Sequence, residues 1–286
     1  MAEDKKLTVG IVGLGLIGGS LAKAAKEGTP HTILGMDLDP SVVLKARLLD
    51  AIDGELKTAD LKRCDILLVA IHPEATLDFL RDSAAMFNPK GMVIDCCGIK
   101  REVCKLGEEL AKKYGFTFIG GHPMAGKERS GFEHSARTLF SRASMILVPP
   151  AGIELEKIGV AKQFFLSLGF GRITITTAQE HDRVIAYTSQ LAHILSSAYI
   201  KSDTAMSHTG ISAGSFRDMT RVATLQPEMW AELCLENRQP MLNELNGLID
   251  RLAQYRDAIQ QNDYEKLRQL LHEGSQRKAE VDKLKA

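Results

Sequence analysis

Short apolar runs alternate with helix-patterned stretches along the first part of the chain. Leu7 to Val12, Thr32 to Met36, Ile66 to Ile71, Met92 to Asp95, Phe116 to Ile119 and Ser144 to Val148 read as strands. Several are apolar throughout, as strands buried on both faces of a parallel sheet must be. Helical spacing fills Ser20 to Glu27, Pro40 to Leu49, Ala75 to Met86 and Glu102 to Lys113 between them. This βαβ alternation predicts an α/β architecture, an open and doubly wound parallel sheet, with Arg172 to Thr177 as its closing strand.

Past Thr177 the strand pattern stops. His181 to Tyr199 and Pro227 to Gln260 are long helical patterns, and Pro227 suits a first helical turn. The expected division is therefore 1–177 for the sheet domain and 178–286 for an all-helical one. Met241, Leu245, Leu248, Leu252, Tyr255 and Ile259 follow a four-three spacing, an a/d seam that packs along another helix. Either the same chain or a second subunit could fill it. A subunit contact is the favoured expectation, because few other long helical patterns are available.

Composition narrows the function classes. Lys+Arg and Asp+Glu are both 36 over 286 residues, so no global field favours nucleic acid or an anionic membrane. No apolar run approaches the ~20 residues needed to cross a bilayer, and the charged start Met1 to Lys6 has no signal-peptide core. Five cysteines, two of them adjacent at Cys96 and Cys97, fit neither a disulfide framework nor a zinc pattern. A reduced, cytoplasmic protein without a metal site is expected.

Gly13-Leu14-Gly15-Leu16-Ile17-Gly18 follows the first strand and opens the first helix, the context that G-x-G-x-x-G requires. Gly13 makes the tight turn, Gly15 lets backbone amides of the loop through Leu16 and Ile17 approach a pyrophosphate, and Gly18 permits close helix–strand packing. Asp37, at the end of the second strand, can accept both ribose hydroxyls and would repel a 2′-phosphate. The pair predicts a Rossmann-type domain and NAD as cofactor. Further on, Gly120 to Gly126 reads as a glycine-rich loop that aims His122, a side chain able to take a proton near neutral pH. By itself the pattern fits a turn cap as well as a base.

Four segments together resemble the prephenate dehydrogenases and their arogenate dehydrogenase relatives. They are the glycine fingerprint, Asp95 to Lys100, Gly120-Gly121-His122-Pro123-Met124-Ala125-Gly126, and Phe216-Arg217-Asp218-Met219-Thr220-Arg221. The likeness spans nearly the whole chain and implies a monofunctional member, with a helical dimerisation domain after the Rossmann domain. It implies NAD-dependent oxidation of the ring C4 alcohol of prephenate, with loss of the ring carboxylate as CO2. His122 is then the base that receives the alcohol proton. Ser189 and His193 lie four apart on a helix face, and the likeness places them at the substrate pocket, Ser189 at the nicotinamide or substrate. Arg221 is the implied clamp for a substrate carboxylate, since a guanidinium pairs with it bidentately. Asp218 could orient it.

Periodicity alone gives a different view of the helix from His181. Val184, Tyr187, Leu191, Ile194 and Ala198 form one apolar stripe, with Asp182, Ser189 and His193 opposite. Gly98 stands where the family often has a serine that would support the histidine or the substrate hydroxyl. Cys97 is expected to be structural, Lys100 to lie near cofactor or substrate or in solvent, and His72 to occupy a turn. His181 carries no signal above a surface histidine. Two rival readings are a 3-hydroxyacid dehydrogenase and a non-catalytic NAD-binding regulator. The first needs a helical lysine where this chain has Ser189 and His193; the second rests on Gly98 alone.

Overall fold

The computed structural model describes residues 6–127 and 129–284; most of the charged N-terminal run, residues 1–5, lies outside them. By internal contacts the chain forms two compact units, one up to Asn237 and one from Arg238. The first carries β1 (Thr8–Val12), α1 (Leu16–Gly28), β2 (Thr32–Met36), α2 (Pro40–Leu48), β3 (Gly54–Glu55), β4 (Ile66–Val69), α3 (Pro73–Ser83), β5 (Met92–Asp95) and α4 (Arg101–Tyr114). It continues with β6 (Thr117–Pro123), β7 (Ser144–Val148), α5 (Leu155–Ser167), β8 (Arg172–Ile175), α6 (Ala178–Ile185), α7 (Ala192–Tyr199), α8 (Gly214–Thr220) and α9 (Pro227–Glu236).

The sheet has eight strands in the order β3-β2-β1-β4-β5-β6-β7-β8. The order reverses between β1 and β4, the switch point at whose carboxyl edge ligands bind in such sheets. Val9, Ile11, Leu68, Ile94 and Ile119 build one buried layer with α1, while Leu67, Val69, Val93 and Phe118 build the other with α3 and α4. Burial of the strands on both faces explains their unbroken apolar runs.

One pair departs from the parallel expectation: β6 runs antiparallel to β7, whereas β7 and β8 are parallel. Among the described residues between β6 and β7 the only helical piece is a short 3-10 turn, Phe132–His134. Without a crossover helix a parallel return is not available, and the antiparallel pairing follows.

The same pairing corrects the reading of Gly120 to Pro123 as a loop. These residues extend β6, with Gly120 opposite Val148 and His122 opposite Ile146. Their glycines serve close approach instead of a turn. A Cβ on Gly121 would lie 2.4 Å from the Asp95 carbonyl oxygen, and one on Gly120 2.5 Å from Cys104 Sγ.

The helical half also differs in detail. The pattern from Pro227 to Gln260 is interrupted at Asn237, giving α9 and then α10 (Arg238–Gln260). A further helix, α11 (Tyr264–Lys283), returns along α10, and Tyr255 Oη donates to the Leu270 carbonyl at 3.0 Å. Part of the predicted seam is therefore covered within the chain, while Leu252 and Ile259 stay more than half exposed. Among the described residues no helix is long and apolar enough to cross a membrane.

Candidate active site

The loop between β1 and α1 has the steric logic of a dinucleotide cradle. Gly13 sits at φ +83°, which side chains disfavour. A Cβ on Gly18 would fall 1.8 Å from the Gly13 carbonyl oxygen, so α1 can meet β1 only with glycine there. A Cβ on Gly15 would meet nothing within 4 Å: its side faces open space at the helix N-terminus that Leu16 and Ile17 begin. Asp37 Oδ2 accepts from Leu14 N–H at 2.7 Å and its Oδ1 from Asp39 N–H at 3.0 Å, which fixes the carboxylate beside the loop. Free lone pairs remain on it for ribose hydroxyls. These residues fit NAD.

Farther along the same sheet edge, β5 ends in Asp95 and β6 in His122. Asp95 Oδ1 accepts from Gly121 N–H at 3.1 Å, and Oδ2 accepts from Cys97 N–H at 2.9 Å and from the Lys100 ammonium. Lys100 is fully buried, so the expectation of a lysine near ligand or solvent gives way to a buried ion pair. The reason is local: the chain turns from β5 into α4 here, and the stem of Lys100 fills the space under Gly120, where a Cβ would be 3.2 Å from its Cδ.

His122 Nδ1 lies 2.9 Å from His181 Nε2, and His181 Nδ1 lies 2.7 Å from Asp182 Oδ1. Asp182 in turn accepts from Lys100 N–H at 2.8 Å and Arg101 N–H at 3.0 Å, the first amides of α4. Asn237 Nδ2 donates to the Asp182 carbonyl at 2.8 Å and to Gln190 Oε1 at 2.7 Å, which pins α6 against the end of α9. Burial holds the His122 pKa well below that of a free imidazole, helped by His181 and the Lys100 charge. Burial likewise lowers His181, against the pull of Asp182. Both rings are therefore neutral at pH 7, and a neutral His122 is competent to take a proton.

His181 is the residue that sequence reading missed; it is buried, with Asp182 behind it. The apolar stripe is also corrected, since Val184 and Tyr187 are exposed whereas Asp182, Ile185, Ala186 and Gln190 are buried. The cause is one π-type turn, Ala186–Leu191, which breaks the 3.6-residue phase between α6 and α7.

Ser189 lies in that π turn, half-buried, and its carbonyl is 2.8 Å from His193 Nδ1. His193 stacks on Trp230 of α9 with ring centroids 4.0 Å apart. Arg221 follows α8 and is exposed, with no hydrogen bond or ion pair recorded to Asp218, His122 or His193 among the described residues. Ser196 Oγ donates to the Met219 carbonyl at 2.7 Å and so ties α7 to the Arg221 segment. Gly98 would present a Cβ 3.2 Å from Leu233 Cδ2. Cys97 is buried with its thiol pushed up to about 12 by desolvation, and its Sγ is 3.3 Å from Thr76 Oγ1, as a structural cysteine should be. His72 is an exposed residue before Pro73 at the start of α3.

Residues 21–174 match the model of the prephenate dehydrogenase nucleotide-binding domain, and 177–273 match that of the prephenate dehydrogenase dimerization domain. The chain belongs to the prephenate dehydrogenase family. Among relatives, the cyclohexadienyl dehydrogenase of Zymomonas mobilis is 32% identical over 270 residues, covering 89% of each chain. The crystal structure of Aquifex aeolicus prephenate dehydrogenase in complex with hydroxyphenyl propionate and NAD+ superposes with a TM-score of 0.80 at 26% identity, over 98% of this chain and 100% of that one. Synechocystis arogenate dehydrogenase gives 0.82 at 25% identity, over 96% and 100%.

Proposed function

We propose that the chain oxidises prephenate with NAD+ to 4-hydroxyphenylpyruvate and CO2, a step of tyrosine biosynthesis. The observation that carries the reading is a half-buried, neutral His122 on the same sheet edge as a glycine loop fitted to a dinucleotide. In this reading His122 receives the proton of the ring C4 hydroxyl. The developing alkoxide makes the C4–H bond a better hydride donor, and NAD, when bound, accepts the hydride. Loss of the ring carboxylate as CO2 sends its electron pair into the ring, which becomes a phenolate. His122 then returns the proton to that oxygen, so the base is regenerated without net uptake.

Substrate placement falls to the helical side of the site. Arg221, exposed and without a protein partner among the described residues, is assigned to a substrate carboxylate, which a guanidinium holds bidentately. His193, braced between Trp230 and the Ser189 carbonyl, and Ser189 itself are assigned to substrate contacts. We place the boundary between the nucleotide and helical domains near residue 177, supported by the abutting family models. A cytoplasmic homodimer is the matching assembly, supported by the dimerization model and by five free cysteines.

The test is NADH formation followed by absorbance with purified protein. Prephenate with NAD+ is expected to turn over with a higher kcat/KM than arogenate with NAD+, and either with NADP+ to be much slower. Faster turnover of arogenate would move the activity to its amino analogue. A flat trace with both substrates would overturn the reading in favour of a non-catalytic NAD-binding protein.

A further inference from the structure

We propose that His181 and Asp182 are positioning residues that fix the proton of His122 on Nδ1, leaving Nε2 bare to act as the base. The proposal rests on the reading of His122 as the base and explains why that nitrogen is available. The chain of donors starts at α4. The amides of Lys100 and Arg101 can only donate, and both point at the Asp182 carboxylate, at 2.8 and 3.0 Å. They are among the amides a helix N-terminus leaves without intrahelical partners, and the helix dipole there favours an anion. An ionised carboxylate is acceptor-only, so His181 Nδ1, at 2.7 Å, carries the hydrogen. A neutral imidazole has one N–H, which leaves His181 Nε2 as an acceptor. His122 Nδ1, 2.9 Å away, then donates to it, and His122 Nε2 is left unprotonated.

The charged surroundings support the same assignment. A proton added to His181 would make both of its nitrogens donors and force His122 into the opposite, useless tautomer. Burial opposes that cation most, against the pull of Asp182, and the Lys100 ammonium opposes it further. Lys100 is itself balanced by Asp95 on β5. Arg101 Nε, 3.8 Å from Asp182 Oδ2, adds a second positive group on α4. Glu236 of α9 and the buried Cys104 of α4 also face Asp182, and burial among acidic neighbours raises the Glu236 pKa to about 7. The His122 ring makes no other hydrogen bond among the described residues, so its orientation depends on His181.

The geometry makes unequal demands on the two residues. In Asp182→Asn, an amide nitrogen in the Oδ1 position loses the Lys100 N–H bond but donates to His181 Nδ1, which reverses both hydrogen bonds of the row and puts the proton of His122 on Nε2. We expect kcat to fall ~10²–10⁴-fold, the range of a lost general base, with KM within about threefold. His181→Gln can still accept from His122 and donate to Asp182, and is expected to stay within about tenfold of wild type. His181→Ala should be as poor as Asp182→Asn. The direct readout is the 15N chemical shifts of the His122 ring in the cofactor-free protein. Protonated Nδ1 in wild type and protonated Nε2 in Asp182→Asn are expected. Protonated Nε2 in wild type, or wild-type kcat in Asp182→Asn, would overturn the proposal. The wild-type spectrum decides even where a variant fails to fold. It also separates this proposal from the proposed activity, which is tested by turnover of the wild-type protein.

Discussion

The glycine loop and the histidine row lie on one sheet edge but are built in opposite ways. Gly13 to Gly18 is a contiguous stretch whose residue types are dictated by backbone contact. Gly18 is forced by the Gly13 carbonyl 1.8 Å from where its Cβ would be, and Gly15 is left open. The row from His122 through His181 to Asp182 joins a strand end to a helix 59 residues later, and closes on the first amides of α4. One region is specified by sterics within six positions, the other by hydrogen bonds between segments that meet only after folding. A site of the first kind tolerates almost no change in shape, whereas the second tolerates shape but not a reversed donor.

That difference is testable by substitution. Gly18→Ala must displace backbone and is expected to cost ~3 kcal/mol, the upper end of overpacking penalties, visible as a large loss of Tm. Gly15→Ala, on the open side of the same loop, should stay within ~1 kcal/mol in stability. It should nonetheless weaken NAD+ binding at least ~10-fold, or ~1.4 kcal/mol, by calorimetry. Wild-type affinity in Gly15→Ala would place the pyrophosphate elsewhere. A smaller effect is expected at Arg221, which belongs to neither construction. Arg221→Ala should raise the KM for prephenate ~10–10²-fold, the worth of one charge-assisted pair. It should leave Tm unchanged, because the side chain is exposed. An unchanged KM would remove Arg221 from the substrate site.

How much could be read from the sequence follows the same line. β1, β4 and β5 are legible because burial on both faces makes them nearly all apolar, while the mostly exposed β8 reads as a strand from its β-branched Ile173, Thr174 and Ile175, and the two-residue β3 is too short to register. Asp37 is legible because it ends a strand at the distance the glycine motif sets. His181 is not, because its partners are distant in sequence and the π turn shifts the helix phase that would have marked its face as buried. Lys100 is ambiguous on paper for a related reason: only the turn at the end of β5 brings its ammonium back to Asp95. The helix α11 carries a single buried residue, Leu270, so it offers no apolar stripe to detect. The segment around His122 is recognised as a motif but misread as a loop, since the antiparallel partner that makes it a strand lies beyond a long connection. His181 braces the Nδ1 side of His122, the side away from the nitrogen assigned to substrate.

The central claim is that His122 is the base for the C4 alcohol, and steady-state kinetics of His122→Asn with prephenate and NAD+ test it most directly. Asparagine can keep a hydrogen bond toward His181 but cannot take the alcohol proton. The account predicts a kcat lower by ~10²–10⁴-fold with KM little changed. A kcat near that of wild type would contradict it.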